Sequence, residues 1–202
     1  MKLRFSPTSP FVRKVTVALH ETGQMDNVEL VTTDVWNPAT DIAADNPVGK
    51  VPALVADDGT AYVESAMICE YVDSLHGGRK LFPASGSERW HVLRLQALAD
   101  GVISAAVDRI IETRRPADKQ WDGWHERRAD AIARTLDLLE KEAGTLGDEA
   151  NGGTIAIGCA LGYLDFRFDA DKWRNGRPKL AAWYEKFAAR PAMVATAPKM
   201  PS

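Results

Sequence analysis

Ser6-Pro7-Thr8-Ser9-Pro10-Phe11-Val12-Arg13-Lys14 is the stretch around which the chain is organised. Ahead of it, Lys2-Leu3-Arg4-Phe5 alternates polar and apolar residues like a short strand. Behind it, Phe11, Val12, Val15, Ala18 and Leu19 recur at helical spacing as far as Gly23. A strand therefore passes into a helix through a turn rich in hydroxyls. Ser9 is the natural N-cap, because Pro10 fits the first helical position, where no amide hydrogen is required. The same turn sets Thr8 and Ser9 at the positive end of a helix dipole, where free amides favour a phosphate, a carboxylate or a thiolate. A cap alone also explains a Ser-Pro pair at a helix start, so both readings stand at this point.

Further along, Val28 to Thr33 is β-branched and alternating, and reads as a second strand, completing a βαβ unit with parallel pairing. Trp36-Asn37-Pro38 opens a weakly helical region over 40–44, which Asn46-Pro47-Val48-Gly49 closes. Pro52 to Ala56, then Asp57-Asp58-Gly59, then Ala61 to Val63 form a hairpin pattern with antiparallel strands. Glu64-Ser65 leads into a helix that ends at Gly77-Gly78, with Ser65 expected as its cap. The order is β-α-β, a loop, then β-β-α, over a domain expected at 1–78. A linker at 79–86 surrounds Leu81-Phe82-Pro83.

Everything from 87 to 202 is helical in period. Ser87 to Arg114 forms one long helix, with Gly101 expected to weaken or bend its middle. Trp121 to Leu146 is amphipathic, with a charged, solvated face. Ile155 to Leu164 is apolar nearly all round and reads as a buried central helix. Pro178 to Ala189 is the last helix, stopped by Pro191, and the tail from Ala192 to Ser202 is expected to be loosely held.

The composition narrows the partners. Among 202 residues, 25 Lys and Arg face 28 Asp and Glu, so no electrostatic bias points to nucleic acid or to an anionic membrane. Small molecules and proteins are the expected partners. Cys69 and Cys159 lie far apart inside apolar helical patterns, which is neither a disulfide framework nor a metal-ligand spacing. They read as core residues in a reducing compartment. Neither a signal-peptide run nor a membrane-length apolar stretch is present, so the cytoplasm is the expected location.

Two further motifs carry alternative readings. Val51-Pro52 precedes a strand, where proline is confined to the first residue or an edge. An ordinary trans proline suffices there. A cis peptide would instead turn the Val51 amide and carbonyl outward, for an extended peptide to pair with. At Glu64-Ser65, a capping serine beside a surface acid is one reading. The other is a hydroxyl and free amides that receive a carboxylate, with Glu64 receiving an ammonium.

The order and spacing of these motifs resemble one family. Ser9-Pro10-Phe11-Val12-Arg13-Lys14-Val15, Asn46-Pro47-Val48-Gly49-Lys50-Val51-Pro52 and Glu64-Ser65 together look like the cytosolic glutathione S-transferases. Leu81-Phe82-Pro83 and Cys159-Ala160-Leu161-Gly162-Tyr163-Leu164-Asp165-Phe166-Arg167 extend the resemblance over nearly the whole chain. It implies an α/β plus all-α protein: a thioredoxin-like N-terminal domain, an all-helical C-terminal domain, and a homodimer. It also implies glutathione as co-substrate and a small electrophilic, largely apolar acceptor.

By that resemblance Pro52 is the cis-proline, and Val51 pairs with the cysteine residue of glutathione. Ser65 takes the γ-glutamyl carboxylate with Glu64 beside it, while Lys50 reaches the glycine carboxylate. Ser9 matches the serine that holds the glutathione sulfur, a role its hydroxyl and helix dipole suit because both favour thiolate over thiol. The acceptor would lie between the Ser9 turn and the long helix near Asp100 to Asp108.

Two departures stand out. Where many members start the central helix with Ser or Thr followed by Asp, this chain has Asn151 and Thr154, and a somewhat less stable helix start is expected. Ser9 stands where other members of the superfamily carry a cysteine, which argues against thiol-disulfide exchange by the protein itself. A non-catalytic binding or regulatory protein of the same fold, and a glutathione-dependent isomerase or dehalogenase, are the alternative readings.

Overall fold

The computed structural model describes residues 1–200. Four strands, β1 (Lys2–Phe5), β2 (Glu29–Thr32), β3 (Ala53–Val55) and β4 (Ala61–Val63), form one mixed sheet in the order β2-β1-β3-β4. β1 and β2 are parallel and joined by helix α1 (Pro10–Glu21). β3 runs antiparallel to both β1 and β4. Helix α2 (Ser65–Ser74) follows β4 and packs against α1. The expected β-α-β, β-β-α order is thus the observed one, because strand alternation, the Asp-Gly turn and the stop at Gly23 are all local signals.

The remaining helices are α3 (Gly86–Thr113), α4 (Asp122–Glu142), α5 (Gly152–Arg167), α6 (Pro178–Ala188) and α7 (Pro191–Ala195). α5 is the centre of this half. Every residue from Gly152 to Leu164 is buried, against α1, α3 and α6. α3 runs unbroken through Gly101, about 42 Å at 1.5 Å per residue. Gly101 lies on its exposed side, where a missing side chain removes no packing.

The segment between the halves is pinned rather than loose. The buried Asp73 carboxylate accepts the amides of Leu81 at 2.8 Å and Phe82 at 3.0 Å, and Leu81 O accepts from Gly152 N at 3.0 Å. A Cβ on Gly152 would sit 2.1 Å from the Phe82 ring, so only glycine permits this approach.

Two expectations are corrected here. The start of α5 is fully capped: Asn151 Oδ1 accepts from Gly153 N and Thr154 N at 2.9 and 3.0 Å, and Thr154 Oγ1 accepts from Asn151 N at 2.8 Å. Asn and Thr therefore reproduce the reciprocal capping box, and no weakness follows from the missing Asp. The tail, too, is held. Pro191 does not only stop α6; it opens α7, whose Ala192 and Met193 are buried. Residues 201–202 of that tail lie outside the described residues.

Candidate active site

The strand register gathers the site at one edge of the sheet. Pairing of Arg4 with Ala53, and of Ala53 with Val63, places the exit of β1, the entry to β3 and the exit of β4 side by side. The Ser6–Ser9 turn, Val51-Pro52 and Glu64-Ser65 therefore converge, although the first lies more than 40 residues ahead of the other two in the chain.

Ser9 caps α1. Its Oγ accepts from Val12 N at 3.3 Å, and Pro10 occupies the first turn. Oγ thus uses a lone pair on the cap while its O–H proton stays available to an anion. The first turn of α1 holds no acidic residue that would neutralise the dipole. Ser9 is half-buried and lines a narrow crevice with Thr8, Pro10, Cys159, Tyr163 and Pro198.

The Val51-Pro52 peptide is cis. Val51 N and O make no backbone hydrogen bond among the described residues. The preceding turn is clamped by buried Asn46, whose Nδ2 donates to Lys50 O at 2.7 Å while its Oδ1 accepts from Val48 N at 3.0 Å. Pro52 is buried and the Lys50 side chain is exposed, with no ion pair among the described residues.

At α2 the sequence expectation needs correction. Glu64, not Ser65, occupies the cap position, with φ of 66°. A non-glycine residue in the left-handed region costs of order 1–3 kcal/mol. No side chain caps this terminus, and its first turn holds no acidic residue, so the amides of α2 stay open to an anion. The Ser65 hydroxyl is turned to another use: it accepts from Lys14 Nζ at 3.1 Å.

Lys14 was not marked by sequence reasoning as a site residue, and Asp100, its ion-pair partner, was named only as an edge of the acceptor region. Its ammonium also donates to Asp100 Oδ1 at 2.5 Å, and its side chain is only 1% exposed. Burial pushes the Asp100 carboxyl above the ordinary range, Lys14 opposes that rise, and the nearby Glu64 carboxylate adds to it. One signal for Lys14 does exist in the sequence: its neighbours one turn away on α1, Pro10, Phe11, Val17 and Ala18, are all apolar, so it stands on the apolar face of the helix.

The facing wall comes from α5 and the tail. Arg13 Nη2 donates to Met193 O at 2.9 Å, tying α7 to α1. A Cβ on Gly162 would lie 2.3 Å from Arg13 Nη1 and 2.8 Å from the Tyr184 hydroxyl, so α5 can approach α1 only at a glycine. Burial raises the Tyr163 phenol, while the nearby positive charges of Arg167 and Arg114 pull it down. Both cysteines are buried thiols, as expected; burial pushes Cys69 up to about 12 and Cys159 up to about 11. A wider, open depression lies between α3 and α4, lined by Asp108, Ile111, Glu112, Arg115, Trp121 and Trp124. No helix among the described residues is long and apolar enough to cross a membrane.

Comparison with known proteins adds a family. A model described as glutathione S-transferase, N-terminal domain, matches residues 3–80, and one described as glutathione S-transferase, C-terminal domain, matches residues 122–186. Over 201 residues, 98% of each chain, the sequence is 38% identical to the uncharacterized GST-like protein YibF of Escherichia coli (strain K12). A crystal structure of a glutathione transferase family member from Pseudomonas fluorescens Pf-5, with bound glutathione, superposes with a TM-score of 0.95 at 43% identity. It covers 98% of this chain and 99% of its own. A second crystal structure of a family member from that organism, with bound S-(propanoic acid)-glutathione, gives a TM-score of 0.92 at 42% identity over 99% and 100% of the two chains.

Proposed function

The chain belongs to the glutathione S-transferase family, and we propose that it is a glutathione transferase that activates the glutathione thiol for attack on a small electrophile. The observation that carries this reading is the convergence of two helix N-termini on one cleft: the α1 terminus, capped by Ser9 whose O–H proton stays free, and the uncapped α2 terminus behind Glu64. A tripeptide with a thiol in its middle and a carboxylate at its γ-glutamyl end has groups to fill both. That similar proteins bind glutathione and a glutathione thioether supports the same choice of ligand.

Each residue then has a part. The open amide and carbonyl of Val51 pair with the cysteinyl backbone, as an added strand pairs with a sheet edge. The α2 amides and Ser65 receive the γ-glutamyl carboxylate, Glu64 receives its ammonium, and Lys50 reaches the glycine carboxylate from the rim. Lys14 and Asp100 hold Ser65 in place from behind and do not touch the reacting atoms.

Ser9 donates its O–H to the sulfur. A free thiol titrates near pH ~8.5, and a hydroxyl donor with a helix N-terminus lowers that value. The thiol proton leaves to solvent, and the sulfur lone pair forms the new S–C bond. At a halogenated carbon the halide departs with the bonding pair. At an activated double bond those electrons move to the carbon beside the carbonyl, which takes a proton from water. Ser9 stabilises the thiolate and forms no covalent bond.

Calorimetric titration of glutathione into the wild type and Ser65→Ala, with conjugation assays on a panel of electrophiles, tests the reading. Saturable one-site binding, weakened roughly 5–10-fold by Ser65→Ala, and turnover of at least one electrophile are expected. Absence of glutathione binding to the wild type would overturn it.

A further inference from the structure

The charges around the acceptor side of the cleft do not cancel. Four carboxylates on α3, α5 and the following turn are each taken by an arginine: Asp108 by Arg128, Glu112 by Arg115, Asp165 by Arg174, and Asp171 by Arg109. Asp169 pairs with Lys172. Asp34, on the Trp36 loop, is exposed, accepts the Trp36 amide at 2.9 Å, and makes no ion pair among the described residues. Arg114 and Arg167 are left without a carboxylate partner among the described residues, as is the buried Arg13 of the Ser9 crevice, which donates to Met193 O.

Both stand where an acceptor would enter. Tyr163 lines the Ser9 crevice, and Arg167, one turn further along α5, stands on the same helix face, close enough for its charge to act on the phenol. The Arg167 guanidinium lies over the Phe166 ring at 4.5 Å, with Nε buried and unpartnered. Nη1 meets only the Met200 sulfur at 3.5 Å, a weak acceptor. Arg114, at the end of α3, lies over Trp36 at 4.6 Å and so bridges the two sides of the cleft mouth. A guanidinium stacked by its face on an aromatic ring keeps its in-plane N–H groups free, which is the geometry that grips a carboxylate with two parallel hydrogen bonds.

We propose that the acceptor side of this site selects electrophiles carrying a carboxylate or an equivalent anionic group, gripped by Arg167 with Arg114 at the rim. The inference rests on the transferase reading and narrows it. A purely apolar acceptor would leave Arg167 Nη1 with only the weak Met200 sulfur as acceptor. An acidic acceptor replaces the weak Met200 contact at Nη1 with a charge-assisted hydrogen bond. Arg167 and Arg114 are thus specificity residues and take no part in activating the sulfur.

The test uses glutathione conjugates that differ only in charge. Affinities of S-(carboxymethyl)glutathione against S-(carbamoylmethyl)glutathione, and of S-(4-carboxybenzyl)glutathione against its 4-carbamoyl isostere, are measured by calorimetry at low and high salt. The wild type is expected to prefer at least one acid over its amide by about tenfold, with a smaller ratio at high salt. Arg167→Gln brings that ratio close to one, and the exposed Arg114→Gln lowers it in part. If glutathione binds the wild type but neither acid is preferred, this inference fails while the transferase reading survives. The same holds if the preference persists in Arg167→Gln combined with Arg114→Gln. If glutathione itself does not bind, the transferase reading fails first.

Discussion

Lys14 on α1 and Asp100 on α3 form an ion pair across the two halves of the chain, with Nζ 2.5 Å from Oδ1. The lysine end is sealed and the aspartate end is 24% exposed. Removing one partner of such a pair strands the other in a low dielectric, at a typical cost of about 3 kcal/mol, whereas removing both is far milder. Asp100→Asn is therefore expected to lower unfolding free energy by about 3 kcal/mol, and Lys14→Met with Asp100→Asn to recover most of it. Urea denaturation of the two singles and the double closes the cycle. Additive effects would show that the pair is not coupled.

The two thiols are expected to be chemically silent in the folded protein. Thiolate is the reactive form, and with values pushed up to about 12 for Cys69 and about 11 for Cys159 by burial, almost none is present at neutral pH. Iodoacetamide at pH 8 should label neither cysteine in native protein and both in denaturant, as read by intact mass. Rapid native labelling of Cys159, which borders the Ser9 crevice, would reopen thiol chemistry by the protein itself.

Arg94 and Glu142 join α3 to α4 through two hydrogen bonds of 2.7 and 2.8 Å. The bond to Arg94 holds the Glu142 carboxyl below its ordinary value. A depressed folded-state pKa contributes stability above the unfolded value near 4.5, and that contribution is lost as pH falls through the lower folded value. The pair is partly exposed, so its worth is small. Glu142→Gln should destabilise by about 0.5 kcal/mol at pH 7, the difference shrinking to nothing in acid and at high salt. Thermal melts across pH and salt measure it.

How far the sequence alone reached depended on whether a feature is local. The strand-turn-helix at Ser9, the hairpin over Asp57-Asp58-Gly59 and the all-apolar α5 are set by neighbours in the chain, so alternation and turn chemistry located them. Pro191 misled, because the same ring that cannot continue one helix is favoured in the first turn of the next. The Ser65 hydroxyl was read as a cap since serine usually is one. Its partner is instead a lysine 51 positions upstream, brought there by packing of α1 on α2. Arg114 and Arg167 could not be told from other surface arginines until each nearby carboxylate had been matched to its own partner.

The central claim is that the anion bound at the α1 cap is the glutathione thiolate, with Ser9 as its hydrogen-bond donor. Loss of the cap alone in Ser9→Ala costs about 1 kcal/mol of stability, which a folded and glutathione-binding variant tolerates. The direct measurement is an ultraviolet titration of thiolate absorbance for glutathione bound to wild type and to Ser9→Ala. The bound thiol should titrate well below the free value of about 8.5 in the wild type, and about one pH unit or more higher in Ser9→Ala, one unit being about 1.4 kcal/mol of stabilisation. A bound thiol that titrates like free glutathione in the wild type, or equally in both proteins, would contradict the account.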